Sequence, residues 1–81
     1  MIPNFIPKLE TLMRNRDGRP FLHGQLAAWC GCGLRATARE LEKILEAGRI
    51  RRLTVSELRA EGWSADAVAY VEAGRSGRAS R

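Results

Sequence analysis

Glycines at 18, 31, 33, 48, 62 and 74 recur so closely that the longest stretch between two of them, residues 34–47, holds about four helical turns. Glycine is the usual residue just past a helix end. The spacing therefore predicts several short helices joined by tight turns, not one long helix or a coiled coil. No apolar run approaches the ~18–20 residues that cross a bilayer, and the opening MIPNFIPKLE lacks a signal peptide's basic-then-apolar plan. At 81 residues, 44% hydrophobic and 28% charged, the chain has the balance of one small globular domain. It reads as cytoplasmic, with no membrane contact.

Apolar spacing names the element in each segment. Ile2, Phe5, Ile6, Leu9, Leu12 and Met13 form one stripe, predicting a first helix from Ile2 to Arg16. Asn4 is placed to cap it, Pro7 falls in the first turn, where its missing N–H is not needed, and Asp17-Gly18 ends it. Pro20 bars a helix interior from Arg19-Pro20-Phe21-Leu22, which reads as a short strand. A second helix carries Leu26-Ala27-Ala28-Trp29-Cys30, with His23 at its N-cap, and stops at Gly31. The third runs from Leu34 to Ala47 and turns Thr37, Leu41, Ile44 and Leu45 inward.

Beyond Gly48, the alternation of Arg49-Ile50-Arg51-Arg52-Leu53 is that of a half-buried strand. Thr54-Val55-Ser56-Glu57 is a capping box that starts a fourth helix, which Gly62 ends. Ser64 then caps a fifth, Ala65 to Ala73, burying Val68 and Val71. Residues 1–73 thus form a single, mainly α domain with two helices added at its C-terminal side. The segment 74–81, GRSGRASR, reads as a flexible basic tail.

The run Leu26-Ala27-Ala28-Trp29-Cys30-Gly31-Cys32-Gly33-Leu34-Arg35-Ala36-Thr37 continues through Leu41 to Ala47-Gly48-Arg49-Ile50. In order and spacing, residues 20–53 resemble the winged helix-turn-helix domain of bacterial and phage DNA-binding proteins. A Leu-Ala pair anchors the second helix, a glycine makes the turn, and an Ala-Gly precedes an apolar strand. The resemblance implies a small winged-helix-like domain with a short strand pair, in which helix 34–47 enters the major groove of double-stranded DNA. It implies that Arg35 and Arg39 face bases, while Lys43, Arg49, Arg51 and Arg52 face phosphates. The function implied is transcription regulation of bacterial or phage type. Because the capping box follows Leu53 at once, no room is left for a returning strand, and a reduced or absent wing is expected.

A second function class stands beside it. Glu40, Glu42 and Glu46 balance the three cations of the third helix, and Leu34 stands exposed at its start. Leu34, Ala38 and Trp63 would then offer a protein-binding surface, as in a small phage- or bacterium-encoded inhibitor or adaptor. Net charge does not decide between them. The chain carries +5, but without the three arginines of the tail, eleven positive side chains meet nine negative ones, leaving +2 on residues 1–73.

The remaining constellations are bland. Cys30 and Cys32 flank one glycine, too close for an unstrained disulfide, and with His23 they fall short of the four ligands of a structural zinc site. His23 and Cys30 are seven residues apart on one helix, roughly 10 Å, out of reach for a thiol–imidazole pair. There is no phosphate-cradling glycine loop and no Ser-His-Asp set, so no enzyme, cofactor or metal is expected. Trp63 either closes the fourth helix or faces a partner. The N-terminal stripe either covers the chain's own core or forms the seam of a homodimer.

Overall fold

The structure, a computed structural model, describes residues 3–73; Ile2 and the segment 74–81 lie outside the described residues. The elements follow in the order α1 (Phe5–Asn15), β1 (Phe21–Leu22), α2 (His23–Cys30), α3 (Leu34–Glu46), β2 (Ile50–Arg52), α4 (Val55–Ala60) and β3 (Ala69–Glu72). The domain is mostly helical, with one three-stranded antiparallel sheet in the order β1-β3-β2. No helix among the described residues is long and apolar enough to cross a membrane.

The stripe of α1 is consumed inside the domain. Phe5, Leu9, Leu12 and Met13 are buried against Phe21, Leu26, Leu41, Ile44 and Tyr70, so α1 covers its own core rather than presenting these residues to a second copy. Asn4 does not cap α1 through its side chain. It sits in the left-handed region at φ 59°, which asparagine tolerates, and its carbonyl accepts the Lys8 N–H at 3.1 Å.

The N-cap of α2 is Leu22, not His23. Gln25 reaches back to accept the Leu22 N–H at 2.9 Å, freeing His23 to bridge other elements as the first helical residue. Its Nε2 donates to the Leu34 carbonyl at 3.1 Å, so the other ring nitrogen, Nδ1, is left to accept from the Tyr70 hydroxyl 3.5 Å away. Gly31, at φ 68°, turns the chain from α2 into α3, and the Cys32 N–H returns to the Ala27 carbonyl at 3.0 Å. Thr37, Leu41 and Ile44 are buried and Leu45 is half-buried, as the periodicity of α3 required. The fully buried Thr37 hydroxyl is satisfied by the Gly33 carbonyl at 2.9 Å.

The fifth helix does not form. Its residues instead give a turn, where the Ser64 Oγ accepts the Asp66 N–H at 3.1 Å, and then β3. Tyr70 lies opposite Phe21 on one side and Arg52 on the other, so β3 is the central strand. Its two faces are both covered. Tyr70 joins the cluster under α1, α2 and α3, while Ala69 and Val71 pack with Leu53, Leu58 and Trp63 beneath α4. A strand buried on both faces needs a continuous apolar run, which residues 67–71 supply, and such a run lacks the alternation that would distinguish it from helix.

This also corrects the expectation that no strand returns along β2. The strand that returns along β2 exists: it is β3, reached through residues 53–68, which fold back over the sheet and carry α4. The capping box holds as read, Glu57 N–H to Thr54 Oγ1 at 3.2 Å and Thr54 N–H to Glu57 Oε1 at 2.9 Å.

Candidate interaction surface on helix α3

Packing of the inner face of α3 leaves Arg35, Arg39, Glu42 and Glu46 exposed, all within about 60° of one another around the helix. The face is divided along its length. The two arginines occupy the first two turns and the two glutamates the last two, each like pair about 6 Å apart along the axis. Lys43 sits to one side, its Nζ 3.9 Å from Glu40 Oε2.

The six cations expected to meet DNA fall into two sets. Arg49 is paired with Glu10 of α1 at 2.7 Å, across 39 positions of sequence. Arg51 is gripped at both terminal nitrogens by Glu57, Nη1 to Oε1 at 2.9 Å and Nη2 to Oε2 at 2.7 Å. With Lys43 beside Glu40, three of the six are engaged within the chain. Arg35, Arg39 and Arg52 are exposed and hold no ion pair among the described residues.

Glu57 thus does two jobs, capping α4 and anchoring Arg51. The Arg51 hydrogen bonds and then the Thr54 N–H hold its carboxyl down to about 2, and the same pairing raises the Arg51 guanidinium. A depressed carboxyl stabilises the fold above its unfolded value of 4.5, and this contribution is lost as pH falls toward 2. Solvent reaches both partners, so screening limits the stabilisation to about 1 kcal/mol. Glu57→Gln is expected to lower the unfolding free energy, read from urea titrations, by that amount at pH 7 and to match the wild type near pH 2. An equal gap at both pH values would remove the ionised pair from the account.

Beside this face lies a shallow apolar groove of about 920 Å³. Leu22, His23, Ala28, Leu34, Ala38 and Val68 line it, and Leu34 is 61% exposed. Of the three residues expected to form a protein-binding surface, Leu34 and Ala38 meet here and Trp63 does not. Trp63 is half-buried, packing back on the cluster under α4. Val68 joins the groove because its carbonyl accepts the His23 N–H at 2.9 Å, a contact with no local sequence signal.

The cysteines serve packing. Cys30 is buried in the main cluster, and burial followed by the neighbouring Cys32 pushes its thiol up, away from nucleophilic use. Cys32 donates to the Cys30 carbonyl at 3.3 Å, and both thiols are free. No three metal-ligating side chains come together among the described residues. Trp29, 44% exposed, is tied down by its indole N–H, which donates to the Lys8 carbonyl at 2.9 Å. In comparisons with protein-family models, curated proteins and solved structures, nothing matched this chain.

Proposed function

We propose that this chain is a winged-helix-like DNA-binding protein, a transcriptional regulator of bacterial or phage type, that reads the major groove with the first two turns of α3. One observation carries the reading. Arg35 and Arg39 stand free on the outermost face of a helix whose inner face is locked against α2. Cations near a helix N-terminus oppose its dipole, and α3 has no acidic residue in its first turn to offset them. Arginines there serve a ligand better than they serve the helix. The turn at Gly31 and the pairing of β2 with a returning strand fit the same scaffold.

The contact set is narrower than the sequence suggested. Arg35 and Arg39 would face bases and Arg52 a phosphate; the Glu57 pairing of Arg51 supports leaving Arg51 out of the set. Fluorescence anisotropy with duplex DNA across a salt series tests this. Arg39→Ala is expected to weaken binding to the preferred site by about 1–3 kcal/mol and relax one base position. Arg51→Ala should leave the salt slope unchanged. Binding that ignores Arg35 and Arg39 would overturn the proposal.

The groove favours a second reading, an inhibitor or adaptor that docks on a protein. An apolar side chain as exposed as Leu34, beside a groove of apolar walls, suits a protein surface better than a phosphate backbone. Here Leu34→Arg abolishes capture of the partner from lysate and leaves DNA affinity intact or raised. Raised DNA affinity with capture unchanged would decide for the first reading.

A further inference from the structure

The charge pattern of α3 makes a prediction that the DNA reading does not. Positions 35 and 46 are equidistant from the point midway between residues 40 and 41, and so are positions 39 and 42. All four side chains share one exposed face, arginine at 35 and 39 and glutamate at 42 and 46. A two-fold axis through that midpoint, perpendicular to the helix, lays a second α3 antiparallel on the first. Each Arg35 then meets the Glu46 of the other copy and each Arg39 meets its Glu42, with no like charges opposed. In parallel register the same face would set arginine on arginine and glutamate on glutamate. The pattern selects one orientation and rejects the other.

We infer that α3 is a homodimer interface, in which two copies of this chain pair antiparallel through Arg35, Arg39, Glu42 and Glu46. The occupant is a second copy because the face is complementary to itself. The pairing covers the arginines proposed above to meet DNA, so a second copy and a duplex compete for this face. The stripe of α1, the other candidate seam, is already buried in the core. At the usual 8–10 Å between helix axes, arginine and glutamate side chains from the two copies span the gap. Such a face is poor in apolar area, so the association is modest and governed by salt.

Sedimentation equilibrium of the full chain, with no DNA present, tests this apart from the proposed function. Dimer is expected at about 100 μM protein in about 20 mM salt, weakening at least about tenfold at about 0.5 M. Arg35→Glu with Arg39→Glu, and separately Glu42→Arg with Glu46→Arg, should each be monomeric under the low-salt condition. Mixed in equal amounts, the two double variants should pair with each other, since every opposed position is then complementary again. Both variants place charges in better accord with the helix dipole, so loss of self-association would not reflect unfolding, and circular dichroism checks this. A monomeric wild type at low salt, a double variant that dimerises like the wild type, or a mixture that stays monomeric would each overturn the inference.

Discussion

Phe21→Ala is expected to leave the chain without a cooperative thermal transition at 25 °C and above. The ring is fully buried, its centroid 5.9 Å from that of Tyr70, and it sits in the cluster that joins α1, α2, α3 and the sheet. Removing a buried phenyl group costs about 3–5 kcal/mol, the lost transfer free energy plus the cavity left behind. A domain of this size has only about that much stability in total. The control is Leu34→Ala, a truncation at an exposed site, which should move the transition little. If Phe21→Ala melted cooperatively within about 1 kcal/mol of the wild type, the ring would not be filling the core as described.

Val71→Pro should be equally severe, for a different reason. Val71 is 1% exposed and lies in the central strand, opposite Arg51. Proline removes a ladder donor, is confined to edge strands and bulges, and costs about 3 kcal/mol or more in a regular element. In a peripheral C-terminal helix the same change would be a local injury that the rest of the domain survived. Far-UV circular dichroism distinguishes the outcomes. Loss of the whole spectrum and of the urea transition is expected, whereas retention of most helical signal would put β3 at the margin of the fold.

The contrast between these two sites shows where sequence carries the fold and where it stops. Phe21 reads as strand because Pro20 forbids helix beside it, and α3 is legible because Thr37, Leu41 and Ile44 recur at helical spacing. The α4 start was legible because Thr54 and Glu57 satisfy each other's backbone within four residues. For β3, the run at 67–71 is apolar on every side, and only the neighbours that cover both faces make it a strand. The site divides in the same manner. The exposed Arg35 and Arg39 follow from the periodicity of α3 alone. The occupation of Arg49 by Glu10 joins residues 39 positions apart, and the entry of Val68 into the groove depends on the His23 N–H; neither leaves a local trace. Arg51 lay closer to hand. Glu57 is six positions away, and a capping-box carboxylate has a spare oxygen that a nearby arginine can use.

The placement of β3 between β1 and β2 also sets the order of events during synthesis. Residues 21 and 70, which face each other in the sheet, are nearly fifty positions apart, and no direct β1–β2 pairing exists to form ahead of them. A nascent chain that has reached Gly62 holds α1 to α4 but neither ladder of the sheet. It can collapse its helices locally, yet the backbone edges of β1 and β2 stay open until Glu72 has emerged from the ribosome. The domain is therefore committed to folding late, and its exposure to aggregation and proteolysis is concentrated in that interval.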